Sequence, residues 1–197
     1  MDATLLSLLG FAVVMYITPG PNNVMVASSA ANHGIRATVP HMLGIAIGFA
    51  LMLVVVSAGL GSALLAWPPL LTTMRWVGAA WMMWLAWKIA TAPPPTRGAQ
   101  RRLLGFFGAV GFQWINPKAW LIGVGAASTY MFPGRPLGMQ LLRIAVVFLG
   151  CAMPCLLVWA LIGSGTGRLL RSPGRLRAFN MAMAALLIVS LVPVLLE

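Results

Sequence analysis

Two short stretches decide the fold, and each places proline in the middle of an apolar run. The first covers residues 18–23 and reads Thr18-Pro19-Gly20-Pro21-Asn22-Asn23. The second reads Asn116-Pro117-Lys118. Proline costs about 3 kcal/mol inside a helix, but it suits the first helical position, with Asn or Thr before it as the N-cap. Each stretch therefore predicts that one helix ends and another begins halfway along its apolar run.

The composition around these breaks is that of an integral membrane protein. Of the 197 residues, 60% are hydrophobic and 8% are charged, whereas soluble domains carry about a quarter charged residues. This composition excludes a soluble enzyme and a disordered chain. We predict an all-α fold with six transmembrane helices, from apolar segments near residues 4–31, 37–65, 70–91, 103–129, 139–165 and 178–196.

The two halves of the chain resemble each other, which predicts a single transmembrane transporter domain over residues 1–197. Repeat 1 covers about 1–91, repeat 2 covers about 103–197, and a cytoplasmic linker at 92–102 joins them. Because each repeat has an odd number of spans, the second copy is inverted relative to the first in the membrane. Inverted three-helix repeats with broken helices, here the first and fourth, are typical of secondary transporters, whose site lies at the repeat interface.

The basic residues orient the chain in the membrane. The formal net charge of +11 comes from 13 basic and 2 acidic residues. Nine basic residues fall in gaps on one side, which the positive-inside rule places in the cytoplasm, with both termini on the outer side. There the arginine clusters attract anionic lipid headgroups, and nucleic acid is not an expected partner. The nine are Arg36, Lys88, Arg97, Arg101, Arg102, Arg168, Arg171, Arg175 and Arg177; the opposite side carries Arg75, Arg135 and Arg143.

The two breaks also predict the substrate site. Each restarted helix turns unsatisfied N–H groups and the positive end of its dipole toward mid-membrane, where an anionic group such as a carboxylate binds. Two ordinary proline kinks are the plainer alternative. On the first interpretation the substrate-binding residues are Thr18, Pro19, Gly20, Pro21, Asn22, Asn23, Asn116, Pro117 and Lys118.

Lys118 is the only charged residue well inside a predicted span. A lysine at the bilayer centre costs at least about 2.5–3.5 kcal/mol, so it is expected to face a cavity or a partner. The only acidic residues, Asp2 and Glu197, lie at the ends of the chain. Two interpretations stay open: Lys118 binds a substrate carboxylate, or it binds backbone carbonyls freed at the other break.

Several further residues are candidates for coupling or packing. His33 and His41 are candidates for a proton relay, with simple interfacial residues as the alternative, and Lys118 is a third candidate for the proton carrier. Gly44 and Gly48 form a GxxxG pattern that permits close helix approach, either within the chain or between the subunits of a homodimer.

Cys151 and Cys155 lie four residues apart on one helix face. They suit close packing, or, as the alternative function, a membrane redox or assembly subunit. No catalytic, metal or cofactor site is predicted, because the spans lack an HExxH motif, an aspartate pair and a Ser/His arrangement.

The motifs resemble those of the LysE/RhtB family of bacterial amino-acid exporters. The resemblance rests on residues 18–23, on Gly34, Arg36, Gly44 and Gly48, and on residues 112–120, which read Phe-Gln-Trp-Ile-Asn-Pro-Lys-Ala-Trp. Residues 28–30, 33–34 and 86–91 look most similar to the cysteine/O-acetylserine branch, while Trp81 stands where the family usually has tyrosine. The resemblance implies a protein of the bacterial inner membrane that exports amino acids or close derivatives by proton antiport.

Overall fold

The computed structural model describes residues 3–61, 63, 66–91, 104–169 and 173–189, and these residues form helices and no strand. We number the helices in chain order. They are α1 (Ala3–Ile17), α2 (Pro21–His33), α3 (Ile35–Val55, continued by a π-helix at Val56–Leu60), α4 (Pro68–Ala90), α5 (Phe106–Ile115), α6 (Pro117–Tyr130), α7 (Leu137–Leu169) and α8 (Pro173–Val189).

Both predicted breaks are present in the structure. Helix α1 ends at Ile17 and α2 begins at Pro21, with an angle of 55° between them. Helix α5 ends at Ile115 and α6 begins at Pro117. The chemistry of proline and its N-cap, which is local, was sufficient to predict these boundaries.

Within the described residues, fewer helices qualify as membrane spans by length and hydropathy than the six predicted from the sequence. Ile35–Leu60 and Leu137–Gly165 each qualify, and the bent pair α1–α2 makes a third if it counts as one span. The others fall short for simple reasons. The second broken helix consists of pieces of 10 and 14 residues, α8 has 17 residues, and the longer α4 includes basic and polar residues.

Helix α3 departs from the uninterrupted span predicted over 37–65. Its last turns, Val56–Leu60, are a π-helix, and Gly59 there has φ of 140°. Only glycine adopts this conformation without strain, so the irregular turn depends on that residue. This irregular turn could not be predicted from the sequence, because a lone glycine in an apolar run is compatible with a regular helix.

The most extensive helix contacts run between the halves of the chain. Helices α1 and α2 pack on α7, α5 packs on α3, α3 packs on α7, and α4 packs on α8. The main core lies among α1, α2, α3, α6 and α7, around fully buried residues such as Leu8, Met52, Phe148 and Leu156. A smaller core between α4 and α8 contains Ala79, Met82, Ala86, Ala184 and Leu187.

Several predictions concern residues on which the structure gives no information. The linker 92–102, with its three arginines, lies outside the described residues, as do Arg171, Asp2 and Glu197. The side chains of Arg75 and Arg168 are also outside the described set. The assignment of these residues to the cytoplasmic or the outer side of the membrane therefore stays a prediction.

Candidate functional site

The first break presents a helix N-terminus inside the protein. Gly20 is the N-cap of α2 and Pro21 is its first residue. The first hydrogen bond of the new helix runs from the Val24 amide to the Gly20 carbonyl, at 3.0 Å. The backbone N–H groups of Asn22 and Asn23 lie in the first turn, where a helix supplies no acceptor for them. They are therefore available to a ligand.

The second break has the same construction, with a side-chain cap. Asn116 is the N-cap of α6, and its Oδ1 accepts a hydrogen bond from the Lys118 amide at 3.2 Å. Pro117 is the first helical residue, and the amides of Ala119 and Trp120 donate to the Asn116 carbonyl. Asn116 is 2% exposed, so this cap is fully internal.

Lys118 joins the two breaks. Its Nζ donates to the Thr18 carbonyl at 2.8 Å, to Thr18 Oγ1 at 2.8 Å and to the Pro19 carbonyl at 3.0 Å. Of the two interpretations that the sequence left open, this structure has the one in which freed carbonyls bind the lysine. All three acceptors are uncharged, so the hydrogen-bonding capacity of the ammonium is used while its charge is not neutralised.

Two glycines allow this close approach. A Cβ at Gly20 would lie 2.8 Å from Lys118 Cδ and 3.1 Å from Nζ, so the lysine lies directly over the first break. A Cβ at Gly78 of α4 would overlap the Pro117 ring. The absence of a side chain at each position therefore lets the second break fit against its neighbours.

A reciprocal amide pair forms a second link between the halves. Asn22 Nδ2 donates to Gln113 Oε1 at 2.8 Å, and Gln113 Nε2 donates to Asn22 Oδ1 at 3.2 Å and to the Ala109 carbonyl at 2.9 Å. Asn23 Nδ2 in turn donates to the carbonyls of Tyr16 and Thr18, at 2.8 and 2.7 Å. These amides hold the end of α1 and the start of α2 in place.

Gln113 was not predicted as a site residue, although it lies within the motif at residues 112–120. Gln113 is fully buried in α5. A glutamine within an apolar run was an available signal, because a buried amide needs partners. Its partner is 91 positions away in the sequence and could not be predicted from the local pattern.

A small cavity lies between the two breaks. Its volume is about 30 Å³, room for roughly one or two water molecules. One part of its wall is polar and is formed by Gly20, Asn22, Asn23, Asn116 and Lys118. The other part consists of Met15, Tyr16, Pro21, Phe49, Ala119 and Ile122. Six of the nine predicted substrate-binding residues thus line one cavity, and the remaining three, Thr18, Pro19 and Pro117, are in the break segments beside it.

The structure places the other candidates away from this cavity. His33, at the end of α2, has Nδ1 3.3 Å from the Ser29 carbonyl. His41 is 3% exposed, and its Nδ1 has no hydrogen-bond partner among the described residues. Neither histidine lines the cavity. Cys151 and Cys155 are free thiols on α7, half-buried and buried respectively.

Gly44 and Gly48 contact α5 of the same chain. A Cβ at Gly44 would lie 2.8 Å from Ala109 Cβ, and one at Gly48 would lie 2.7 Å from Val110 Cα. Of the two interpretations of the GxxxG pattern, the structure has the one in which the contact is internal. Close approach at these glycines brings the second half against α3.

Comparison with known proteins agrees with this architecture. Residues 13–196 match the family model of the LysE type translocator. The chain is 35% identical over 190 residues to the "Cysteine/O-acetylserine efflux protein" of Escherichia coli O139:H28 (strain E24377A / ETEC), an alignment that covers 95% of this chain and 96% of the relative. It is 34% identical, with the same coverage, to proteins of that name from Escherichia coli (strain K12) and Shigella sonnei (strain Ss046). No solved structure matches the chain.

The family match covers almost the whole chain and includes both breaks and all the residues that line the cavity between them. The apolar helices agree with a protein of the membrane. The chain therefore belongs to the LysE type translocator family, whose members are membrane transporters and not enzymes.

Proposed function

We propose that the protein exports small neutral amino acids or close derivatives from the cytoplasm, with cysteine and O-acetylserine as the first candidates. One observation carries the proposal: the Lys118 ammonium lies at the junction of two helix breaks without a counter-ion. The chain has no acidic residue between positions 3 and 196. A carboxylate that neutralises Lys118 inside the protein is therefore one that arrives with the substrate.

The surroundings of Lys118 suit an α-amino-acid carboxylate. The ammonium makes its bonds only to Thr18 and Pro19, which are neutral and can be exchanged for a charged acceptor. A carboxylate adds the attraction between opposite charges to the hydrogen bond, which a carbonyl or hydroxyl oxygen does not. The amides of Asn22 and Asn23 at the start of α2 add donors and the positive end of a helix dipole. The carboxylate oxygens of a bound substrate then accept from Lys118 and from these amides.

The substrate class follows from the charge of the site and from the relatives. Among the described residues that line the cavity, Lys118 is the only charged one, and the sequence has no acidic residue between positions 3 and 196 to offer to a cationic side chain. The names of the relatives give cysteine and O-acetylserine as the cargo of those proteins. Both are small amino acids with uncharged side chains, and both carry the carboxylate that Lys118 requires.

The six-helix inverted repeat is part of the proposal. In this arrangement α1–α2, α3 and α4 correspond to α5–α6, α7 and α8. The packing supports it, because α1 and α2 pack on α7 while α5 and α6 pack on α3, and α4 packs on α8. The two halves thus make equivalent helix contacts with each other. The family match supports the bacterial inner membrane as the location, and the distribution of basic residues supports termini on its outer side.

Transport requires the halves to separate around the site. The space of about 30 Å³ between the breaks holds one or two water molecules rather than an amino acid, so we propose that substrate binds a wider state in which the halves have moved apart. Opening on either side would break links between the halves, namely the bonds from Lys118 to Thr18 and the Asn22–Gln113 amide pair. Substrate that binds Lys118 replaces the first of these links and so favours opening, in the manner of alternating access.

Proton antiport is the coupling that we propose. Because the spans lack carboxylates, the candidates for the proton carrier are His33, His41 and Lys118. Of these three, Lys118 lines the cavity, whereas His41 lies outside it with a buried Nδ1 that has no hydrogen-bond partner among the described residues. A homodimer is not part of the proposal, since Gly44 and Gly48 already pack against α5 of the same chain.

The experiment is uptake of labelled cysteine and O-acetylserine into proteoliposomes, with and without an imposed pH gradient. The chain has two lysines, which gives a matched pair of variants. Lys118→Ala is expected to lower transport at least tenfold. Lys88→Ala, which removes an exposed lysine beside Trp84 at the end of α4, is expected to stay within about twofold.

The possible failures are distinct. If folded wild-type protein moves no amino acid, the proposed function is wrong. If Lys118→Ala transports like the wild type, the carboxylate role is wrong although export stands. If a pH gradient has no effect on the rate, proton coupling is wrong.

A further inference from the structure

The carbonyl groups at the end of α1 are bound by side chains. Helix α1 ends at Ile17, so the carbonyls of its last turn lack backbone partners within the helix. The Tyr16 carbonyl accepts from Asn23 Nδ2 at 2.8 Å, and the Ile17 carbonyl accepts from Trp159 Nε1 at 3.2 Å. Both donors are neutral. The oxygens that follow in the chain have a charged partner.

Three of these oxygens surround one cation, the ammonium of Lys118. They are the Thr18 carbonyl and Thr18 Oγ1, each 2.8 Å from Nζ, and the Pro19 carbonyl at 3.0 Å. We call them the oxygen cluster. The Thr18 hydroxyl donates its proton to the Met15 carbonyl at 3.1 Å, and the Thr18 carbonyl also accepts from Asn23 Nδ2 at 2.7 Å. All three oxygens therefore offer only lone pairs to the position of Nζ.

The oxygen cluster has the chemistry of a site for a monovalent cation. Carbonyls at the C-terminal ends of broken helices bind Na⁺ in membrane transporters, and carbonyl oxygens bind K⁺ in channels by replacing its water. The negative end of the α1 dipole adds to the attraction. An ammonium group and a potassium ion are similar in size. The oxygens that hold the ammonium at 2.8–3.0 Å are therefore placed for K⁺.

We propose that the oxygen cluster is a binding site for a monovalent cation of the size of K⁺, and that the Lys118 ammonium is its occupant in this structure. Lys118 and a free K⁺ are then alternative occupants. The role in transport rests on the proposed function: when Lys118 turns to a substrate carboxylate, K⁺ takes the oxygens that the ammonium leaves. Without a cation, these acceptors would lose their charged partner inside the protein, which is costly.

The first break then serves both charges of an ion pair. The end of α1 offers the oxygen cluster to a cation, and the start of α2 offers the backbone N–H groups of Asn22 and Asn23 to a carboxylate. The cavity that Gly20 and Lys118 line has room for roughly one or two water molecules, which add oxygen ligands. A carboxylate between Lys118 and the cluster would separate the two cations and so reduce their repulsion.

The test removes the ammonium and asks whether K⁺ replaces it. Lys118→Ala is purified in detergent, and its melting temperature is compared in KCl and in N-methylglucamine chloride of equal concentration. A rise of at least about 2–4 °C in KCl is expected, which corresponds to a concentration about five times the Kd. Wild-type protein, whose cluster holds its own ammonium, is expected to melt at the same temperature in both salts. Lys118→Met keeps most of the packing of the lysine stem and is the second variant if the alanine variant does not fold.

Matched variants and ions define the site. Thr18→Val in the Lys118→Ala background removes one oxygen with little change of shape and is expected to reduce the response to K⁺. Lys88→Ala, which changes the other lysine of the chain, is expected to show no response. Rb⁺ is expected to act like K⁺, and the much smaller Li⁺ is expected to act less, because the oxygens are spaced for an ammonium group.

Two results of the melting experiment would overturn the inference. One is equal melting of folded Lys118→Ala in the two salts. The other is a response that persists in full after Thr18→Val or that Lys88→Ala shares, which would indicate a general salt effect.

The role in transport has its own test. Uptake of labelled cysteine by wild-type protein in proteoliposomes is expected to fall when N-methylglucamine replaces K⁺, and an unchanged rate would refute the exchange of Lys118 for K⁺. If wild-type protein transports no amino acid, the proposed function fails, and the melting experiment still decides whether the cation site exists.

Discussion

Substitution of Gly20 by alanine tests the role of Lys118 without changing the lysine itself. The added Cβ would lie 2.8 Å from Lys118 Cδ, whereas carbon atoms in good contact are about 3.5–4.0 Å apart. The lysine must therefore retreat by about 1 Å. Its bonds to Thr18 and Pro19, now 2.8–3.0 Å, would lengthen beyond the range of about 2.7–3.2 Å in which such bonds are effective.

The backbone at Gly20 does not oppose the change. Its φ of −177° and ψ of 176° are extended, a conformation that any residue adopts. The variant is therefore expected to fold, and the added methyl group is expected to act by displacing the Lys118 side chain. A hydrogen bond to a charged group contributes about 1.5–3 kcal/mol. Loss of one such bond to the substrate carboxylate would raise KM for export about ten- to a hundredfold.

The assay is concentration-dependent uptake in proteoliposomes, with three comparisons. Gly10→Ala is the control for a glycine-to-alanine change, because nothing lies within 4 Å of the Cβ position at Gly10. The double variant of Gly20→Ala and Lys118→Ala completes a double-mutant cycle. If Gly20 acts through Lys118, the glycine change has little further effect once the lysine is absent. Normal KM in Gly20→Ala, or full additivity in the cycle, would refute the reasoning.

Three further substitutions address the cap, the helix contacts and the thiols. Asn116→Ala removes the internal N-cap of α6 and is expected to lower the free energy of unfolding by about 0.5–2 kcal/mol, measured by thermal melting in detergent; an unchanged melting temperature would argue against the cap. Gly163→Ala places a Cβ against the α2 backbone and is expected to destabilise by about 1–3 kcal/mol, while Gly165→Ala, where nothing lies within 4 Å, serves as the control. Replacement of both Cys151 and Cys155 by alanine is expected to leave transport within about twofold of the wild type, because neither thiol lines the cavity; a large loss would favour the redox alternative.

The sequence predicted those parts of the site that local chemistry determines. Proline after an N-cap residue favours a helix start. The start of α6 at Pro117 could therefore be predicted, and that of α2 could be narrowed to Pro19 or Pro21, of which the structure has Pro21. That Lys118 faces a cavity or a partner followed from the cost of an isolated charge in a membrane, and its contact with the first break was one of the two alternatives.

The parts that were missed depend on tertiary packing. The choice of Thr18 and Pro19 as the acceptors of Lys118 requires two segments about 100 positions apart to be placed together. The Asn22–Gln113 hydrogen bonds could not be predicted for the same reason, because the two residues are 91 positions apart in the sequence. The absence of a hydrogen-bond partner for the Tyr16 hydroxyl among the described residues could not be predicted either, because a buried tyrosine hydroxyl normally has a partner.

The crosswise packing of the halves has a consequence for biogenesis. The largest contacts of α1, α2 and α4 are with helices of the second half, which the ribosome makes later. Until α7 enters the bilayer, the polar backbone at the first break faces lipid without the helix that will cover it. We therefore expect that the first half alone does not form a stable folded unit. Fragments that end and begin within residues 92–102 are expected to be degraded when made singly and to accumulate when made together.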